Sequence, residues 1–173
     1  MTAVLVSVDF IYQQLGQHLQ ALPLLGGPLL LVVGITVNRT LPAPAILNWS
    51  PFHLRANLAL IPVRTRLWPL YVAVLAAVIP GLALLEELVF RYPVHSLLAG
   101  VLLGGVAFGF AHLTSLVTLR MCLYLTVIGW LFVVVYVLWG FWAVVLLHAS
   151  YNLAALGAVV AERLGWYRLE RAS

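Results

Sequence analysis

Apolar residues run unbroken over long stretches of this 173-residue chain, without the alternation that barrel strands would show. The runs predict helices. The first clear one spans about Ala21 to Val37. A second extends from Leu67 towards Leu85, and Pro80-Gly81 predicts an interruption and a bend in it, because proline removes a backbone N–H. A third ends near Leu119, before Arg120. The block from Met121 to Val160 is too long for one crossing, since about 20 residues span a bilayer core. Gly140, flanked by Trp139 and Trp142, predicts the turn that divides it, because Trp favours the membrane interface. Residues 1–20 mix Gln13, Gln14, Gln17 and Gln20 with apolar positions and read as an interfacial helix. The long polar part is 38–66, which carries Pro42, Pro44, Pro51 and Pro62 together with Arg39, Arg55, Arg64 and Arg66. It reads as a loop on the membrane surface.

Composition turns these helices into membrane helices. The chain is 64% hydrophobic and 8% charged, where soluble domains carry about 25% charge. Its mean hydropathy is +1.09. The expected fold is an all-α, polytopic integral membrane bundle of about five transmembrane helices. Three regions are expected: 1–66, a membrane helix and cytoplasmic surface loop; 67–162, a core of membrane helices; and 163–173, a short basic cytoplasmic tail. The basic residues are all arginine, which reads as a topology signal rather than a nucleic-acid surface. With the 38–66 loop in the cytoplasm, Arg120 and the tail arginines Arg163, Arg168 and Arg171 fall on the same side after two hairpins. The N-terminus is then outside and the C-terminus cytoplasmic. Arg91 is the one arginine that topology leaves unexplained. The lone Cys122 lies in an apolar run and has no internal disulfide partner. No basic n-region or cleavage site marks a signal peptide, and the sequons at Asn38 and Asn48 are weak patterns.

Arg91 belongs to the stretch LLEELVFRYP, residues 84–93. A charge in the bilayer core costs roughly 3 kcal/mol or more, so such groups need partners. On a helix, Glu87 and Arg91 are one turn apart and can pair, which leaves Glu86 on a neighbouring face. The bland reading is three charges that stabilise a helix end near the interface. Further polar groups argue against it. His112 lies one turn after Phe108, and His148 and Asn152 share a helix face. Together they supply a general base, a water-orienting group and donors for an oxyanion, as amide hydrolysis requires. For Glu86 and His112 to lie at one depth, the turn between their helices is expected near Ala99-Gly100. Gly100, Gly104, Gly105 and Gly109 offer two overlapping GxxxG spacings for close helix contact. His95 reads as an interface residue, and His18 and His53 as solvated.

Glu-Glu-x-x-x-Arg (86–91), Phe-x-x-x-His (108–112) and His-x-x-x-Asn (148–152), in this order on apolar helices, resemble the CPBP family. That family includes CAAX prenyl proteases and bacteriocin-processing enzymes and is also called the abortive-infection family. The resemblance covers about residues 67–160. It implies a multi-helix intramembrane endopeptidase, with Glu86 as catalytic glutamate, His112 as its water-activating partner, and His148 and Asn152 as the oxyanion pair. Glu87, Arg91 and Phe108 take supporting positions. The family's glycine after the arginine is Tyr92 here, followed by Pro93, which points to different local helix geometry. The expected partners are the lipid bilayer and a membrane-associated peptide, with no nucleic acid. The substrate could be a CAAX-type tail, a leader peptide or a C-terminal sorting segment. A metal-independent mechanism is favoured; in the zinc alternative, Glu86, His112 and His148 would be the ligands. A non-catalytic scaffold or bacteriocin-immunity protein is the competing function. A small proton-relay transporter is disfavoured by the short chain without inverted repeats.

Overall fold

The computed structural model describes residues 22–40, 67–113 and 118–164. These form an all-helical membrane bundle with no strand among the described residues. In chain order the helices are α1 (Leu22–Thr40), α2 (Trp68–Phe90), α3 (Leu97–Ala111), α4 (Leu119–Trp139) and α5 (Phe141–Arg163). Three segments are long and apolar enough to cross a bilayer, namely Trp68–Phe90, Leu119–Trp139 and Phe141–Ala161. The apolar stretches in α1 and α3 are shorter. The expected interfacial helix over 1–20, most of the 38–66 loop, His18, His53 and the end of the basic tail lie outside the described residues.

Helix ends follow local chemistry. Ser96 caps α3 by accepting the Ala99 N–H through its Oγ at 3.1 Å. Gly140, at φ 85°, separates α4 from α5 in a backbone conformation that favours glycine, at the turn the tryptophans marked. One sequence expectation is corrected here. Helix α2 is not interrupted at Pro80-Gly81 but runs through both to Phe90. Proline removes one N–H, while every other turn of this long apolar segment keeps its bonds, and in lipid an opened backbone would go unsatisfied.

The outward face of α2 carries Leu70, Val74, Val78, Leu82 and Leu85, all exposed. Its inward face buries Ala83 and Glu87. Apolar outside and polar inside is the arrangement a lipid solvent selects. The packed core lies between α4 and α5, where Ile128, Phe132, Val144 and Leu147 meet, with Leu30 of α1 and Tyr124 against them. The Tyr124 hydroxyl ties α1 to α4 by donating to the Leu30 carbonyl at 2.9 Å.

The glycines of α3 face α4. A side chain at Gly104 would meet Val133, and one at Gly105 would meet the Trp130 indole. A Cβ at Gly109 would collide with Thr126 Oγ1 and stand 2.6 Å from the Cys122 carbonyl oxygen. Because that carbonyl is backbone, it cannot swing aside. Gly109→Leu is therefore expected to push α4 away and cost about 1–3 kcal/mol, the usual range for overpacking. Thermal unfolding in detergent would show a lowered midpoint; an unshifted midpoint would show that the contact is not tight.

Candidate active site

The second correction concerns the turn between α2 and α3. It falls at residues 91–96, not at Ala99-Gly100. Glu86 and His112 nevertheless meet, because α3 packs along α4 and crosses the end of α2 rather than running back beside it. Between Gly100 and Ala107 its backbone is π-helical, a form often found at functional sites. The crossing point is a T-shaped contact between Phe90 and Phe108, with ring centres 5.5 Å apart. Glu86 lies one turn before Phe90 and His112 one turn after Phe108. The two next-turn residues thus arrive on the same side of the crossing. Helix α5 packs against α2 and adds His148 from a third direction.

The carboxylate of Glu86 stands between the two imidazoles. Its Oε2 is 3.7 Å from His112 Nε2 and 3.7 Å from His148 Nε2. These separations are too long for direct hydrogen bonds. They leave Oε2 without a hydrogen-bond partner among the described residues. The Glu86 and His112 side chains are about one-third exposed, at 33% and 32%, while Oε2 itself is buried. His148 is buried.

Each histidine is held by its far nitrogen. His112 follows the last residue of α3, and its Nδ1 lies 2.8 Å from the Phe108 carbonyl oxygen, a free acceptor of the helix end. A carbonyl can only accept, so Nδ1 carries the proton and the lone pair of the neutral ring is at Nε2, towards Glu86. His148 Nδ1 lies 2.6 Å from Glu87 Oε1, and by the same reasoning the carboxylate accepts from it. The other oxygen of Glu87, Oε2, is 3.2 Å from Arg91 Nε in an ion pair without hydrogen-bond alignment. Glu87 and Arg91 are both fully buried.

Phe108 organises the floor of the site. The Arg91 guanidinium lies over its ring at 3.9 Å from the centroid, and the His112 and His148 rings meet it edge-on at 5.0 and 5.7 Å. A cation over an aromatic face is worth about 2 kcal/mol when desolvated, which helps hold a guanidinium whose two terminal nitrogens have no hydrogen-bond partner among the described residues. Phe132 of α4 closes the floor, 5.1 Å from the His148 ring and 5.3 Å from the guanidinium carbon. Sequence reasoning missed Phe132, since one aromatic among the apolar residues of α4 carries no distinguishing signal.

The structure thus gathers Glu86, Glu87, Arg91, Phe108, His112 and His148. Asn152, one turn beyond His148, is half-buried, and its side chain makes no hydrogen bond among the described residues. His95 is exposed in the turn, apart from the cluster, in an apolar groove with Val94, Val101 and Trp130. The described residues contain no group of three or more His, Cys, Asp or Glu placed to hold a metal ion.

Comparison with known families agrees with the resemblance read from the motifs. A family model described as type II CAAX prenyl endopeptidase, Rce1-like, matches residues 65–154. The match spans just over half of the chain and includes every residue of the cluster and Asn152. No curated protein and no solved structure matches the chain.

Proposed function

The chain belongs to the Rce1-like family of type II CAAX prenyl endopeptidases, and on that premise we propose that it is an intramembrane endopeptidase working by glutamate-activated water. Membership supports peptidase activity at a membrane. The observation that carries the finer reading is the Glu86 carboxylate facing two imidazole nitrogens at equal distance within an apolar bundle, its Oε2 without a hydrogen-bond partner among the described residues. His112, with its proton committed to Phe108, offers a lone pair that orients the water. Glu86 removes a proton as the water oxygen attacks the peptide carbonyl carbon. The negative charge that builds on the carbonyl oxygen is met by His148 Nε2 and the Asn152 amide. Donation from Nε2 requires the imidazolium form, because Nδ1 already holds a proton for Glu87. Protonated Glu86 then passes its proton to the departing amine as the C–N bond breaks. A preorganised donor in a dry site is typically worth about 10²–10³ in rate. Residues 67–162 form the catalytic core in this reading. The arginine distribution supports an outside N-terminus and a cytoplasmic C-terminus.

The substrate is a membrane-associated peptide. Purified protein in liposomes should cut one defined bond in a farnesylated CAAX peptide or in an unprenylated leader or sorting peptide, with the product mapped by mass spectrometry. The active preparation should contain no stoichiometric zinc, and a strong chelator should leave the rate unchanged. One tightly bound zinc per chain, lost together with activity, would refute the water-only mechanism. No cleavage of any membrane peptide would favour the scaffold or immunity reading.

A further inference from the structure

The sequence pairs Glu87 with Arg91 and leaves His148 to the oxyanion. The structure makes Glu87 serve both, with one carboxylate oxygen for each: Oε1 to His148 Nδ1 at 2.6 Å and Oε2 to Arg91 Nε at 3.2 Å. We propose that Glu87 is the positioning residue of the site, holding the His148 ring so that Nε2 faces the reacting carbonyl as a charged donor. The inference rests on the proposed role of His148 but names a different group as responsible for it.

Three features support the assignment. First, Glu87 is the hydrogen-bond partner of His148 Nδ1 and is fully buried, so water does not compete for that nitrogen. Second, the carboxylate has little freedom. It is paired by charge with Arg91, just past the end of its helix, whose guanidinium lies on the Phe108 face. Third, the charges suit the task. A carboxylate opposite Nδ1 stabilises a ring that donates from both nitrogens, whereas an amide there could accept the bond without supplying the charge. The geometry is a carboxylate–histidine pair with a guanidinium behind it. It follows the general rule that a ring's orientation is set by the hydrogen bond of its other nitrogen.

The rival explanation is that Glu87 does nothing except neutralise Arg91. The two can be separated because they predict different fates for a double variant. Glu87→Gln alone strands the buried guanidinium and can fail to fold. Glu87→Gln combined with Arg91→Met removes both charges and keeps the volumes close, a replacement that buried ion pairs often tolerate. The positioning role predicts that the double variant folds and keeps KM within about threefold, yet loses about 10²–10³ in kcat, the usual effect of a lost oxyanion donor. The neutralising role predicts that removing both charges restores wild-type kcat, and that result would overturn the proposal.

A second readout is independent of peptidase activity. In protein labelled with nitrogen-15 histidine, the His148 signals, assigned by their loss in His148→Gln, report which ring nitrogens carry protons. Wild-type protein should show a protonated Nδ1, and the double variant should show redistributed protons. An unprotonated Nδ1 in wild type would overturn the proposal without any variant at position 87. A protonated Nδ1 in a protein that cleaves nothing would leave the Glu87 assignment standing and remove the peptidase reading instead.

Discussion

Glu86→Gln should lower kcat by roughly 10²–10⁴-fold, the range that general acid–base groups contribute, and leave the amount of folded protein nearly unchanged. Glutamine keeps the shape and one carbonyl acceptor of the carboxylate but cannot take a proton at neutral pH. The attacking water then keeps both of its protons, and the leaving amine receives none. The fold should not suffer, because the side chain is about one-third exposed and holds no direct hydrogen bond to either histidine. Substitutions at such positions usually stay within about 0.5 kcal/mol. Single-turnover cleavage of a membrane peptide, with unfolding measured on the same preparation, separates the two effects. Wild-type kcat in Glu86→Gln would sink the assignment of this residue as the base.

Arg91→Ala should act the other way, through stability. It removes the cation that faces Glu87 and opens a void over Phe108, since the guanidinium carbon lies 3.9 Å from that ring. Breaking a buried ion pair by deleting one partner typically costs about 3–5 kcal/mol, because the remaining charge stays buried without compensation. His148 still donates to the stranded carboxylate, which places the expected loss near the lower end of that range. Size-exclusion profiles and unfolding midpoints in detergent should show a clear drop in monodisperse protein. A midpoint equal to wild type would mean that the pair contributes nothing to the fold. The contrast between the two variants is informative in itself. The first change is expected to act in chemistry and the second in structure, because the Glu86 side chain is about one-third exposed whereas Arg91 is fully buried.

Several features of the fold were legible from composition and spacing alone. Long apolar runs with few charges leave helices as the open solution in lipid, since every backbone group must find its partner within the segment. Gly140 between tryptophans marked the turn between α4 and α5, and it is the described glycine at positive φ. The pairing of Glu87 with Arg91 was also readable, because residues four apart on a helix meet whatever surrounds them. The same rule put His148 and Asn152 on one face.

Where the reading relied on helix ends and hairpin depth, it went astray. Pro80-Gly81 was a local signal for a break, but the demands of a long membrane helix outweighed it. The turn after α2 was placed late because a simple antiparallel hairpin would otherwise keep Glu86 and His112 apart. The molecule solves the problem by a crossing at Phe90 and Phe108, with α3 laid against α4 through its glycines.

The sequence by itself therefore determined the class of the fold, the polar residues that cannot be left in lipid, and those pairs whose members lie one turn apart. Only the tertiary structure decided that Glu86 stands between two histidines from different helices, that Glu87 divides its oxygens between Arg91 and His148, and that Phe132 completes the floor. The physical reason is sequence distance. A bond between residues one turn apart follows from helix geometry, whereas the bond between Glu87 and His148 spans 61 residues and exists only once α5 has packed against α2.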